Sequence, residues 1–219
     1  MRRNGFTLLE TAMATIIIGV GVLAILEAQQ AFHKSNSWSS QAATATLLAN
    51  EIREMTRKLP RHDPVTGLML VDNGGSTTLS GWGPEPGEVL VTDFDDIDDF
   101  DGLAFSWDGT TGLIDGDLPG PVDAFGLVIP EVDRFGQVVL DAEGNPIALR
   151  GWSQRVVVEK VNPFDYTEVL AKGYFEVPSG NFAGRGVGDY PLLVTVIVAY
   201  QGPYDAQASE VARVRWIVP

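Results

Sequence analysis

The chain has 219 residues, 45% of them hydrophobic, and a formal net charge of -14, which allows one or two domains with a buried core and excludes a disordered tail. It contains no cysteine, so disulfides, thiolate ligands and thiol redox chemistry are excluded. No Lys or Arg stands between Arg61 and Arg134, an interval that holds most of the aspartates. A phosphate backbone is repelled there, and no direct nucleic acid binding is expected.

The first element is apolar. Phe6 to Leu26 carries a single charge, Glu10, and its length of about 21 residues gives a helix of roughly 30 Å, the hydrocarbon thickness of a bilayer. Arg2 and Arg3 precede it and the next Lys or Arg is Lys34. The positive-inside bias therefore puts the N-terminus in the cytoplasm and exports the remainder as a single-pass protein. The residues after Leu26 read EAQQAF, without the small-x-small pair of a conventional cleaved signal.

A short basic leader ending in Gly5, followed by Phe6, Thr7, Leu8, Leu9, Glu10 and the apolar run, resembles the type IV prepilin signal shared by pilins and the pseudopilins of type II secretion. The resemblance implies a leader of residues 1–5 and a prepilin peptidase as partner. It implies cleavage between Gly5 and Phe6 with N-methylation of Phe6, passage through the bacterial inner membrane, and assembly with other pilin or pseudopilin subunits. It further implies that Glu10 meets the amino terminus of a neighbouring subunit and acts as the assembly residue. A carboxylate in the apolar phase costs about 2.5–3.5 kcal/mol and persists only where a partner offsets it. Glu10 lies about one helical turn from Phe6, within reach of such an amine. The other reading of Glu10 is a first-turn carboxylate at the interface that complements the helix dipole.

Trp38, Ala42, Ala45, Leu48, Ile52, Met55 and Leu59 then recur at spacings of three and four among polar residues. Residues 6–27 are thus expected to be the transmembrane or filament-core helix, and residues 28–59 its amphipathic continuation. Pro60 ends a helix that would run to about 80 Å. Residues 60–219 read as a β-rich exported domain with an acidic insertion at about 70–133, and no internal repeat is evident.

Within the insertion, TDFDDIDDFDGL places Phe94, Ile97 and Phe100 three apart. A helical turn would tuck them inward and fan the aspartates outward. Asp95, Asp96, Asp98, Asp99 and Asp101 are candidate calcium ligands, because calcium takes carboxylate oxygens. The spacing does not match an EF-hand loop, and a solvated acidic turn and a docking patch for a basic partner stay open beside the cation site. DDIDDFDG also resembles a stretch in minor pilins of the mannose-sensitive haemagglutinin class.

Later runs read as strands. QVVLDAEGNPIAL is expected to be a hairpin turning at Asp141 to Pro146, and SQRVVVEKV and YTEVLAKGYFEV to be further strands. LLVTVIVAY is apolar on both alternating sets, as for a strand buried on both faces. In SEVARVRWIVP, Ala212, Val214, Trp216 and Val218 share the face expected to pack on the helix, opposite Arg213 and Arg215. The expected fold is α+β, a long N-terminal helix packed on an antiparallel sheet, which the pilin resemblance also implies.

His33 and His62 are the only histidines, His62 with Asp63 reads as surface, and GNFAGRGVG lacks the P-loop ending. No catalytic residue and no cofactor beyond calcium is predicted. The function expected is a minor subunit of a type IV pilus or secretion pseudopilus. The alternative is a signal-anchored envelope protein with an outward ligand- or calcium-binding domain, and an anchored hydrolase using paired carboxylates is a third reading.

Overall fold

A computed structural model describes residues 8–110 and 118–219. It has one long helix, α1 (Leu8–Thr56), and the chain divides into two compact units, the first ending at Ala43 and the second running from Thr44 to Pro219. In the first unit the helix is apolar on all sides and bare: Leu9, Ile16, Ile17, Ile18, Val20, Leu23 and Ile25 are each at least 60% exposed. An all-round apolar helix has no wet face, so water is the wrong solvent for it. Trp38, expected on the packed stripe, is 65% exposed.

In the second unit α1 buries Ala45, Leu48, Ala49, Ile52 and Thr56, spaced three, one, three and four, against the sheet. The helix stops at Thr56, whose hydroxyl donates back to the Ile52 carbonyl at 3.0 Å. A last turn, Leu59 N–H to Thr56 O, delivers the chain to Pro60.

The main sheet is built from β3 (Ala104–Ser106), β4 (Leu118–Pro119), β5 (Trp152–Asn162), β6 (Asp165–Val169), β7 (Leu192–Tyr200) and β8 (Ser209–Val218), in spatial order β4-β3-β5-β7-β8 with β6 beside β5. A separate ribbon pairs β1 (Met69–Asp72) with β2 (Thr77–Ser80). Pairing is antiparallel except between β3 and β4, which run parallel, so the sheet is mixed rather than antiparallel throughout. The long strands fall where β-branched residues concentrate. Val156 and Val158 of β5 and Leu192, Val194, Val196 and Val198 of β7 meet the helix residues in one core. The opposite face of β7 is only half-buried at Leu193, Ile197 and Ala199, short of the burial on both faces that its composition predicts. On β8, Ala212, Val214, Trp216 and Val218 pack partly against the core while Arg213 and Arg215 stay exposed. YTEVLAKGYFEV is a strand only as far as Val169.

The stretch 70–133 is not an add-on to a finished sheet. Phe94, Ile97, Phe100, Leu103, Phe105 and Val122 belong to the same core as α1, β5 and β7, so the core is incomplete without them.

Residues 121–149 form an arm with a repeat that the sequence reading misses. At Asp123, Asp133 and Asp141 the aspartate Oδ1 accepts the amides two and four residues on. The amide of Gly126, Gly136 or Gly144 closes each turn onto the carbonyl of its aspartate. All three glycines have positive φ, which only a residue without Cβ adopts at low cost. The Asp141 turn is the expected hairpin, closed by a bridge between Leu140 and Pro146. Between the turns, Glu131 N–H donates to Ile147 O, Ile147 N–H to Val139 O and Val139 N–H to Glu131 O. The three strands therefore form a closed ring of hydrogen bonds. Gln154 pins the arm's root: its amide donates to Leu48 O and Val122 O, and its carbonyl accepts from Val122 N–H.

Candidate functional site

Two places concentrate chemistry. The first is the start of α1, where Glu10 is exposed in the first helical turn; the predicted cleavage and methylation site, Gly5 and Phe6, lies outside the described residues. By length and composition α1 is able to cross a membrane.

The second is the acidic turn after α1. Pro60 O accepts from Ile97 N–H, hanging the turn directly from the end of the helix. Phe94, Ile97 and Phe100 are buried, as their spacing predicts, and Phe94 meets Phe100 edge-on at 5.4 Å. The aspartates do not fan outward: Asp96, Asp98 and Asp99 are each 0% exposed. A short 3-10 turn at Asp98–Phe100 folds the carboxylates back over the loop's own amides. Asp99 Oδ2 accepts the amides of Asp95 and Asp96 at 3.1 and 3.2 Å, and Asp96 Oδ1 accepts that of Asp99 at 3.2 Å.

Three of the five predicted ligands stay together and the other two turn to different partners. Asp95, Asp96 and Asp99 each offer an oxygen within 4.8 Å of the others, and Asp99 is likewise grouped with Glu85 and Glu88. Asp98 instead faces His62, Oδ2 to Nδ1 at 3.0 Å. Asp101 accepts from Val158 N–H at 2.9 Å and from the Trp82 indole at 3.1 Å, and pairs with Lys172. Glu85 and Glu88 carry no motif signal; their neighbours Pro84, Pro86 and Gly87 mark only a rigid loop.

Burial pushes Asp96 up to about 8, and Asp98 and Asp99 to about 7, with neighbouring carboxylates adding to the rise at Asp99. Burial also lifts Glu85 to about 7, with Asp99 next in effect. His62 is a correction to its expected surface position. Its side chain is 7% exposed, it lies 5.9 Å from the Trp82 ring, and burial pulls it down to about 4. A histidine held neutral by burial is a weak base, and here it serves to fix Asp98. It borders a cleft of about 680 Å³ lined also by Arg61, Gly67, Phe175 and Asp189, with no Ser, Thr or Lys nucleophile among those residues. GNFAGRGVG, which lacks the P-loop ending, supplies one arm of a small hairpin in which Arg185 pairs with Glu176 at 3.5 Å.

Comparison of the chain with family models, curated proteins and solved structures returns no match.

Proposed function

We propose that the chain is a structural minor subunit of a type IV pilus or of a type II secretion pseudopilus, processed by a prepilin peptidase between Gly5 and Phe6 and assembled through its apolar N-terminal helix. One observation carries the reading. α1 continues without a break from the bare apolar residues that follow the prepilin-like leader into the residues that complete the core of the second unit. Such a helix has two solvents to satisfy. Its apolar part is covered first by lipid and later by neighbouring helices, and since lipid tails are as apolar as the helix, specificity falls to close packing and to polar pairing. Glu10 supplies that pairing with the amine of the next subunit, and the role is assembly rather than turnover.

The acidic turn favours a second reading, a signal-anchored envelope protein whose exported domain binds calcium. The N-terminus and intact mass of the membrane-extracted protein, with and without active prepilin peptidase, separate the two. A chain beginning at Phe6 with one added methyl group, only when the peptidase is active, is the expected result. A chain beginning at Met1 under both conditions would sink the filament reading.

A further inference from the structure

Asp99 uses Oδ2 to hold the loop amides, while its Oδ1 is buried and accepts no hydrogen bond. Asp96 holds the Asp99 amide by Oδ1, its Oδ2 is buried and accepts no N–H, and its carboxyl lies against that of Asp98. Both oxygens of Glu85 are likewise buried and undonated. Among the described residues no Lys, Arg or His forms an ion pair with Glu85, Glu88, Asp95, Asp96 or Asp99. Two lysines of the same region are engaged elsewhere: Lys172 pairs with Asp101, and Lys160 donates to backbone carbonyls.

Buried carboxylates without hydrogen-bond donors or counter-charge are expensive, and two remedies exist, protons or a cation. The geometry favours the cation. At Asp96 and Asp99 the backbone hydrogen bonds engage one carboxylate oxygen and leave the other buried and unused. The oxygens of each triad lie within 4.8 Å of one another, the greatest separation open to two oxygens that each sit about 2.4 Å from one calcium ion. Asp99 is common to both triads.

We propose that Glu85, Glu88 and Asp99 bind one calcium ion, with Asp95 and Asp96 at the edge of the site. The ion fastens the Pro84–Glu88 loop to the turn that hangs from Pro60, and so braces the exit of α1. Magnesium prefers shorter bonds and retains its waters, and suits this all-carboxylate cage less well. The inference does not depend on the filament reading, because processing at Gly5 and calcium binding are measured independently.

The test uses the full-length protein in detergent, stripped with EGTA, with calcium chloride as the probe at pH 7.5. Equilibrium dialysis with radioactive calcium is expected to show one saturable ion per chain. Melting followed by tryptophan fluorescence is expected to rise by about 5–10 °C at a hundredfold excess over half-saturation. Asp99→Asn abolishes the binding and Glu85→Gln weakens it at least tenfold. The Glu85 carboxylate accepts no backbone N–H, and a glutamine amide can still donate to Glu88, so Glu85→Gln keeps the loop and decides the matter should Asp99→Asn not fold. No saturable binding by the wild-type chain up to about 5 mM, or undiminished binding by Glu85→Gln, overturns the proposal. A melting shift with magnesium as large as with calcium overturns the choice of ion.

Discussion

Lys160 is 0% exposed, and among the described residues no carboxylate forms an ion pair with it, Asp98 acting on it only at a distance. Its ammonium donates to the carbonyls of Val187 at 2.6 Å and Tyr174 at 3.3 Å, and also to that of Lys172, and it lies 5.4 Å from the centre of the Tyr190 ring. Carbonyl dipoles and a ring face replace the counter-ion, and burial lowers its pKa to about 8. Lys160→Met keeps the length and flexibility of the side chain but leaves the carbonyls without their donor. A loss of about 2 kcal/mol in urea unfolding is expected. An unchanged midpoint would show that water replaces the ammonium. In sequence, Lys160 stands next to Glu159 on a strand and looks like half of a surface ion pair. Burial of a charge by carbonyls from loops 12 to 27 residues away leaves no local pattern. The buried aspartates escape sequence reading for the same reason: acidic residues look wet until their oxygens are found facing the loop's own amides.

At the level of elements, β5, β7, β8 and α1 were legible because each has a long periodic or β-branched run whose burial its own residues dictate. The stretch from 70 to 133 was not. Its strands have between two and four residues, and its place in the core depends on single side chains set among glycines and aspartates. The arm was legible in principle: Asp-x-Phe-Gly-like turns at Asp123, Asp133 and Asp141 share an aspartate three before a glycine, but the spacing changes from ten to eight and hides the period. Gln154 is the joint between helix, sheet and arm. Replacing it by leucine keeps bulk but strands the N–H and C=O of Val122, which is 2% exposed. At about 1–3 kcal/mol for each stranded group, Gln154→Leu is expected to lower unfolding stability by about 3 kcal/mol. A loss below about 1 kcal/mol would mean that the arm's root finds other partners.

On the scale of the whole molecule, the acidic turn sets how stability follows pH. Asp96, Asp98, Asp99 and Glu85 bind protons more tightly folded than unfolded, so between about pH 4 and 8 the folded state holds the extra protons and stability falls as pH rises. His62, lowered from 6.5 to about 4, opposes this below 6.5, and Lys160, lowered from 10.5 to about 8, raises stability with pH above 8. In EGTA the melting temperature of the full chain is expected to fall between pH 6.5 and 8, where the carboxylates act unopposed by His62. A rise across that window would contradict the burial of the cluster. Saturating calcium is expected to flatten the fall, because the ion binds the deprotonated form.

The ring formed by Glu131, Val139 and Ile147 has a consequence for how the arm comes apart. An ordinary hairpin has an open end and unzips from it, one rung at a time. Here each strand both gives and receives within a cycle, so removing any one of them costs two of the three bonds at once. The arm has no loose end to fray from, and its strands separate together or stay together. A segment made mostly of turns, with Phe125 and Phe135 exposed at its tips, thereby keeps a fixed shape without a core of its own.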